Sequence, residues 1–371
     1  MIRNSLVPAP LAQLPWWIIL TVVSITGFGL VVLYSAAGGS LQPWALGQGA
    51  RFCAFLVGSV ALSRLREAQI KSAVVPAYVI LIVALVFTEL IGKVAGGGQR
   101  WLNLGVIRLQ PSELMKPLIV LTLARFYDML PAGEIRRWNA IWPALALIGV
   151  PALLILVQPD LGTATMVVAG GITVMFLAGL PLRLFIGGLL AIIPLGAGAW
   201  SMMHEYQRNR VLIFLDPESD PLGKGYHISQ SKIAIGSGGL FGKGFLNGTQ
   251  SHLDYLPEGH TDFVFATMAE EWGLAGGVVL ICAFLFVVWW GLGVAMRAET
   301  RFGKLTAAGL STTIFFYVAV NLMMVMGLAP VVGIPLPLVS YGGSAVMTVL
   351  IILGLLMAID RGQRGSHTSF A

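Results

Sequence analysis

Residues 272–296 read Trp272-Gly-Leu-Ala-Gly-Gly-Val-Val-Leu-Ile-Cys-Ala-Phe-Leu-Phe-Val-Val-Trp-Trp-Gly-Leu-Gly-Val-Ala-Met296, without one charged side chain. Such a run is typical of a helix that crosses a bilayer, which needs about 20 apolar residues. The whole chain shares this character, since 57% of its 371 residues are hydrophobic, 11% are charged and the mean hydropathy is +0.83. Soluble domains carry about 25% charged residues. The sequence therefore predicts an all-α polytopic membrane protein.

Ten apolar segments are candidates for transmembrane helices. They lie at residues 16–37, 45–63, 73–92, 112–128, 141–157, 163–180, 184–200, 271–296, 305–329 and 338–359. The first is too long for the core of a signal peptide, so we expect it to be retained. We predict one membrane domain, residues 1–371, with a large extracytoplasmic loop at about 201–262 between the seventh and eighth helices.

The distribution of basic residues predicts the orientation of the chain. With the N-terminus inside, thirteen lysines and arginines fall in the inner segments, whereas the short outer loops hold only Lys93, Arg100 and Arg108. Cytoplasmic loops of membrane proteins carry such an excess. Both termini are therefore predicted to be cytoplasmic, and the 201–262 loop to face outside. This topology, and not nucleic-acid binding, accounts for the net charge of +6.

An ionisable pair stands at the start of the fourth predicted span, in Gln110-Pro-Ser-Glu-Leu-Met-Lys116. Glu113 and Lys116 are three positions apart, so they share one helix face and can form a salt bridge. Charges at membrane depth are costly and by default indicate function. A buried pair can also serve only to orient a helix, and both interpretations stay open.

Two short outer segments carry further polar side chains. In Gln158-Pro-Asp-Leu-Gly-Thr163, Asp160 or Thr163 is expected to cap the sixth helix, with a role beside the site as the alternative for Asp160. In Gly96-Gly-Gly-Gln-Arg-Trp-Leu102, Gln99 and Arg100 lie near the headgroup level. Arg100 could either hold a phosphate or anchor the loop.

The 201–262 loop collects most of the polar side chains. Arg208-Asn-Arg210 presents two guanidiniums, which suit the phosphate oxygens of a diphosphate or of a phospholipid. Segment 223–250 is rich in glycine, but it is not a P-loop. Ser237 and Gly244 stand where that motif needs a glycine and a Ser or Thr, so nucleotide binding is not supported.

Asp262 directly precedes a helical run at 263–271. One interpretation is a helix cap. The other is a catalytic carboxylate, kept ionised by the helix dipole, that accepts a proton from an attacking hydroxyl, with Glu270 or Glu271 assisting. A metal site is a weaker alternative, because the spacing of its candidate ligands matches no strong pattern: His252, Asp254 and His260.

Motifs along essentially the whole chain resemble those of one bacterial family. They are Gly98-Gln-Arg-Trp-Leu102, Gln110-Pro-Ser-Glu113 with Lys116, Gln158-Pro-Asp-Leu-Gly162, the run 221–240, Thr249-Gln-Ser251, Leu256-Pro-Glu-Gly-His-Thr-Asp-Phe263, Ala269-Glu-Glu-Trp-Gly273 and Pro337-Leu-Val-Ser-Tyr-Gly-Gly-Ser344. On these motifs the chain is identified as a member of the SEDS family (shape, elongation, division and sporulation). Tyr226-His-Ile228 resembles the elongation branch more than the division branch. The ten-helix topology that the resemblance implies agrees with the spans counted above.

The resemblance implies a peptidoglycan glycosyltransferase that polymerises lipid II into β-1,4 glycan strands at the outer face of the bacterial cytoplasmic membrane. It also implies a class B penicillin-binding protein as partner, within the elongation complex that maintains rod shape. The family's outer-loop aspartate falls on Asp262, which we expect to be the catalytic base, and its intramembrane acid and base fall on Glu113 and Lys116. The expected substrate-binding residues are Gln99, Arg100, Arg208, Arg210, Lys243, Glu258 and His260, and the expected cavity residues are Glu113, Lys116 and Asp160. Arg208, Arg210 or a divalent cation (Mg²⁺ or Mn²⁺) would neutralise the diphosphate.

Two other classes of function stay open. Charges at membrane depth also fit a lipid II flippase, but transporters favour inverted repeats and midplane sites. The sequence has no clear repeat and concentrates its polar residues in the outer loop. A noncatalytic scaffold for the penicillin-binding protein would not need such a loop.

Overall fold

The computed structural model describes residues 14–91, 93–95, 98–103, 108–202, 208–209, 212–214, 216, 223–253, 255–256 and 258–367. The helices are α1 Trp16–Ala36, α2 Ala45–Leu62, α3 Glu67–Ile91, α4 Pro111–Met129, α5 Trp138–Val157, α6 Leu161–Leu177, α7 Leu182–Met202, α8 Lys224–Ser237, α9 Thr249–His252, α10 Val264–Arg297, α11 Arg301–Val325 and α12 Gly343–His367, with a 3₁₀ turn at Ala132–Glu134. The strands are β1 Lys93–Ala95, β2 Gly98–Asn103 and β3 Arg108–Leu109.

Each of the ten predicted spans coincides with a long helix, α1 to α7 and α10 to α12. Among the described residues, seven helices are long and apolar enough to cross a membrane by length and composition: α1, α2, α3, α5, α10, α11 and α12. Helix α6 is a shorter apolar helix of 17 residues. Helix α4 is less apolar because it carries Glu113, Lys116, Arg125 and Asp128. The chain is thus a multi-pass membrane protein.

The helical fold is as predicted, with one small addition between α3 and α4. There β1, β2 and β3 form a small antiparallel sheet in that order, with Lys93 opposite Trp101 and Leu102 opposite Leu109. The segment is rich in glycine, which disfavours a helix, and antiparallel strands can pair after a short reversal. The sheet therefore lies in a connection that was predicted as a loop, and it leaves the helical bundle unchanged.

The bundle is built around α12. In the apolar window of this helix 83% of the residues are buried, against 22% in α2 and in α3. Helix α12 packs closely on α2. The contact is so close that a Cβ added at Gly354 would lie 2.7 Å from the main-chain oxygen of Ser59. Helix α11 packs on α4 and α10, and α4 is buried along most of its length. Helices α4, α11 and α12 therefore form the interior.

Helix α10 is interrupted near its N-terminal end. It begins at Val264, earlier than the predicted residue 271, and its path breaks at Gly273, where φ is 64° and ψ is −164°. Glycine tolerates this conformation because it has no Cβ. The first turns of α10, up to the break, are buried almost throughout, so they belong to the packed core and not to the outer loop.

The glycine-rich segment 238–244 lies against this break. The N–H of Leu274 donates to the carbonyl of Gly239 at 2.9 Å, and the N–H of Lys243 donates to the carbonyl of Glu270 at 2.9 Å. A Cβ at Gly242 would overlap the main chain of α10. The glycines therefore permit direct contact between two backbones, which explains a composition that superficially resembles a phosphate-binding loop.

Candidate active site

Asp262 lies in a tight turn immediately before α10. The N–H of Thr261 donates to the carbonyl of Glu258 at 3.0 Å and the N–H of Phe263 donates to the same oxygen at 3.2 Å. Phe263 occupies the cap position of α10 and no side chain caps this helix end. Asp262 is therefore not the N-cap residue of α10, contrary to the first interpretation.

Asn321, near the C-terminal end of apolar α11, fixes the main chain of Asp262. Its side-chain Nδ2 donates to the carbonyl of Asp262 at 2.9 Å and to the carbonyl of Ile334 at 2.7 Å, and the side chain is fully buried. The carboxylate of Asp262 faces the same loop, since a Cβ added at Gly333 would lie 3.5 Å from its Oδ2. Asn321 is not among the residues predicted from the sequence, although an amide in an apolar helix is a usable signal of a functional position.

The segment that leads into α12 holds the turn from the other side. The hydroxyl of Ser340 donates to the carbonyl of Thr261 at 2.6 Å, and the N–H of Tyr341 donates to the carbonyl of His260 at 2.9 Å. Gln48 of α2 donates to the carbonyl of Ser340 at 2.8 Å. The turn with Asp262 is therefore clamped between α11, the 336–343 segment and, through it, α2.

His260 stacks on Trp44 with ring centroids 4.0 Å apart and an interplanar angle of 7°. Burial lowers the pKa of His260 below its usual 6.5, although the nearby Glu258 carboxylate acts in the opposite direction. A neutral imidazole is therefore expected at pH 7. Glu258 is exposed and accepts a hydrogen bond from the hydroxyl of Thr261, so the two predicted substrate-binding residues lie beside Asp262.

Lys243 is engaged in an ion pair, which argues against its predicted role in substrate binding. Its Nζ lies 2.7 Å from Oε1 of Glu270, a side chain with no exposed surface. The same carboxylate accepts the N–H groups of Thr249 at 2.9 Å and of Gln250 at 3.0 Å. Glu270 of α10 therefore ties Lys243 and the start of α9 to its own helix, and these contacts occupy its carboxylate oxygens.

Arg100 and Asp160 also have structural partners. The guanidinium of Arg100 donates to the carbonyl of Gln158 at 3.0 Å and to the carbonyl of Pro159, which favours the loop anchor over the phosphate ligand. Asp160 caps α6, as expected, by accepting the N–H of Thr163 at 3.0 Å. Its second oxygen accepts the side-chain amide of Gln110 at 3.1 Å.

The predicted pair on α4 forms inside the bundle. The Nζ of Lys116 lies 2.6 Å from Oε1 of Glu113, and both side chains are almost fully buried. Tyr317 of α11 donates its hydroxyl to Oε2 of Glu113 at 2.5 Å, and Lys116 lies 4.4 Å from the centroid of the Tyr317 ring. Tyr317 stands one helical turn from Asn321, so α11 contacts both the buried pair and the turn with Asp262.

The remaining predicted residues are only partly covered by the structure. Arg208 is half-buried, and Gln99 is described in β2 by its main chain alone. Arg210 and Asp254 lie outside the described residues. Among the residues that the structure describes, no group of three His, Cys, Asp or Glu side chains could hold a metal ion, so the candidate set with His252 receives no support there.

The sequence model of the FtsW, RodA and SpoVE family, described as cell cycle proteins, matches residues 15–365. The chain belongs to this family. Within it, the peptidoglycan glycosyltransferase MrdB of Escherichia coli K12 is 49% identical over 288 residues, which cover 77% of each protein. The peptidoglycan glycosyltransferase RodA of Treponema pallidum is 30% identical, with 93% of this chain and 97% of that relative covered.

Solved structures of the family share the fold. A chain from a peptidoglycan synthase complex, studied for the coordination of polymerization and crosslinking, superposes with a TM-score of 0.83 at 32% identity, covering 94% of this chain and 98% of the other. The rod shape determining protein RodA of Thermus thermophilus gives a TM-score of 0.71 at 29% identity, covering 94% and 97%. The chain therefore shares the overall fold of these family structures.

Proposed function

We infer that the chain is a peptidoglycan glycosyltransferase of the FtsW/RodA/SpoVE family that polymerises lipid II during cell elongation. Two of its family relatives carry that enzyme name. The observation that carries the assignment of the site is the fixation of Asp262, whose main chain is bound by Asn321 and whose neighbours are bound by the segment before α12. A carboxylate held this firmly can be positioned against a reacting hydroxyl.

The membrane topology of the proposal has ten crossings, made by α1 to α7 and α10 to α12. Both termini lie in the cytoplasm, and the loop at about 201–262 faces outside between α7 and α10. The excess of basic residues in the segments assigned to the inside supports this orientation. The lipid substrate then reaches Asp262 from the outer leaflet of the cytoplasmic membrane.

The proposed reaction is a single displacement at the anomeric carbon of the donor sugar. The 4-hydroxyl oxygen of the acceptor forms the new bond to this carbon, while the bond to the diphosphate oxygen breaks and undecaprenyl diphosphate leaves with the electron pair. Asp262 takes the hydroxyl proton as general base. Attack from the face opposite the leaving group converts an α-linked donor into a β-1,4 linkage.

The substrate-binding part of the proposal keeps Glu258 and His260, which flank the turn, and Arg208 and Arg210 as phosphate ligands. Gln99 is retained as a sugar-facing candidate on β2. A divalent cation remains part of the proposal. Mg²⁺ is commonly held by one or two carboxylates together with substrate phosphates, so the cation would bind with the diphosphate and no step is derived through it.

A class B penicillin-binding protein is the proposed partner, within the elongation complex. The support is the structural similarity to a chain from a peptidoglycan synthase complex that coordinates polymerization with crosslinking. In this arrangement the glycan strand leaves the outer loop and is crosslinked by the partner at the same surface.

The experiment that tests the function compares lipid II polymerisation by the wild type and by Asp262→Asn, each purified in detergent with the partner protein. Glu89→Gln, an exposed carboxylate on α3, is the matched control. We expect strands from the wild type and the control and none from Asp262→Asn. Strands from all three would refute the assignment of the base. No strands from any of them would favour the flippase or the scaffold.

A further inference from the structure

The motif Tyr341-Gly-Gly-Ser344 opens α12, and the mechanism above gives it no role. Arg51 of α2 lies against it. The Nη2 of Arg51 donates to the hydroxyl of Tyr341 at 3.3 Å, and the guanidinium lies 5.0 Å from the centroid of the Tyr341 ring. A Cβ added at Gly343 would lie 3.2 Å from Cδ of Arg51. Glycine at this position therefore lets the arginine reach the start of α12.

The charge of Arg51 has no acidic partner in the described part of the chain. The ion pairs found there involve other residues, and no carboxylate lies within 4.0 Å of its guanidinium. Arg51 stands about 9 Å along α2 from its first residue, at 1.5 Å per residue. A cation at such a depth in an apolar helix is costly unless an anion accompanies it.

The start of α12 provides complementary groups. The first N–H groups of a helix have no partner within the helix and, with the helix dipole, attract anions, and α12 has 25 residues. Ser344, in this first turn, is 6% exposed, and its buried Oγ has no hydrogen-bond partner among the described residues. A cation, a buried hydroxyl and a helix N-terminus thus meet at one place.

This place adjoins the candidate base. Tyr341 is hydrogen-bonded to the carbonyl of His260 at 2.9 Å, two residues from Asp262. Gln48, one turn before Arg51 on α2, binds both sides of the same junction, donating to the carbonyl of Ser340 at 2.8 Å and accepting the N–H of Gly342 at 3.3 Å. An anion at Arg51 would therefore lie next to the reacting groups.

We propose that Arg51 and the first turn of α12 bind the diphosphate of the polyprenyl-linked substrate. The proposal rests on the proposed function and adds a specific ligand site to it. The diphosphate joins the reacting sugar to the polyprenyl chain, so it must lie between the turn with Asp262 and the apolar helices. The fork of a guanidinium matches phosphate oxygens better than an ammonium does. Arg51 would stabilise the charge that develops on the leaving group.

Binding of undecaprenyl diphosphate to the full chain in detergent tests the proposal, with undecaprenyl monophosphate and phosphatidylglycerol as competing probes. We expect the wild type to prefer the diphosphate. Arg51→Gln should weaken diphosphate binding about tenfold or more, the scale of losing a charge-assisted contact. Arg51→Lys should bind the diphosphate with an affinity between those of the wild type and Arg51→Gln. Arg137→Gln, an exposed arginine paired with Glu134, is the control and should bind as the wild type does.

Unchanged diphosphate binding by Arg51→Gln would overturn the proposal. Equal losses for the diphosphate and for phosphatidylglycerol would also overturn it, because the site would then be a general phospholipid site. If Arg51→Gln fails to fold, the diphosphate affinities of Arg51→Lys and Ser344→Ala are compared with that of the wild type. Weaker binding by these variants supports the proposal, and unchanged binding overturns it. Asp262→Asn should bind the diphosphate normally while losing polymerisation. If the wild type binds the diphosphate through Arg51 but forms no glycan, the proposed function fails and the anion site stands.

Discussion

Asn321 and Asp262 are joined by a hydrogen bond of 2.9 Å from the side-chain nitrogen of the first to the main-chain oxygen of the second. The contact joins the C-terminal end of α11 to the turn that precedes α10. Because the same nitrogen also binds the carbonyl of Ile334 at 2.7 Å, one buried amide sets the distance between the turn with Asp262 and the loop that its carboxylate faces. We therefore regard Asn321 as a positioning residue.

Replacing Asn321 should lower kcat much more than it changes KM. Asn321→Ala removes the side-chain N–H groups that bind the carbonyls of Asp262 and Ile334. Asn321→Asp keeps the shape of the side chain but puts a carboxylate oxygen, which can only accept hydrogen bonds, against those two carbonyls. We expect kcat for polymerisation to fall about 10- to 100-fold, as for a misplaced catalytic group, and stability to fall by about 1–3 kcal/mol. Thr312→Val on α11, whose hydroxyl binds only within its own helix in the structure, is the matched control. Equal kcat in Asn321→Asp and in the control would contradict the prediction.

The buried pair on α4 should show strong coupling. Lys116→Met alone leaves the Glu113 carboxylate buried without its cation, which costs about 3–5 kcal/mol. The double variant Glu113→Gln/Lys116→Met removes both charges and should recover much of that loss. Thermal unfolding in detergent, read as a double-mutant cycle, measures the coupling. Additive losses would mean that the two side chains do not stabilise each other as their 2.6 Å contact indicates.

The free energy of unfolding should decrease as the pH is lowered, because His260 becomes protonated more readily in the unfolded chain. Its pKa in the folded protein is lowered by burial from the usual 6.5, so the unfolded chain binds the proton more readily. Stability from this group is therefore complete above about pH 6.5 and is lost as the pH falls from there towards the lowered pKa. Unfolding temperatures between pH 7.5 and 5 should decline more steeply for the wild type than for His260→Phe. Parallel curves would exclude the effect.

The glycines of the outer loop should differ sharply in their tolerance of alanine. Gly242 has a φ of +81° and its Cβ would overlap the carbonyl of Glu271, whereas a Cβ at Gly236 in α8 would meet nothing within 4 Å. Gly242→Ala should destabilise the protein by about 1–3 kcal/mol, as overpacking does. Gly236→Ala should be neutral or stabilise by about 0.5–1 kcal/mol. Limited proteolysis of the loop and thermal unfolding would measure the difference, and equal behaviour would argue against the docked loop.

The apolar pattern predicted the ten long helices, because length and hydropathy are local properties, although some ends differ from the observed ones by as many as eight residues, as at the end of α12 (predicted 359, observed His367). The same holds for the cap at Asp160 and for the pair of Glu113 and Lys116, whose partners are three residues apart. Arg51 and Lys243 could not be assigned in this way. Their surroundings are set by Tyr341 and Glu270, which lie far away in the sequence and become neighbours only through helix packing.

The break in α10 could likewise not be predicted from the sequence, because nothing distinguishes Gly273 from the many other glycines of the chain. Its unusual φ becomes visible only with the loop packed on it. Similarly, Asp262 is adjacent in sequence to a helix and looked like a cap, but the helix starts one residue too late for that role. Sequence reasoning found the carboxylate and not the residues that hold it.

The contact between segment 238–244 and the main chain around Gly273 has a consequence for synthesis. Because segment 238–244 is synthesised before α10, it emerges while the backbone that will receive it is still within the ribosome or the insertion machinery. The loop can reach its final path only after residues 270–275 have emerged and α10 has been inserted. Assembly of this region must therefore wait for α10, and a chain truncated before that helix would leave segment 238–244 without its docking surface.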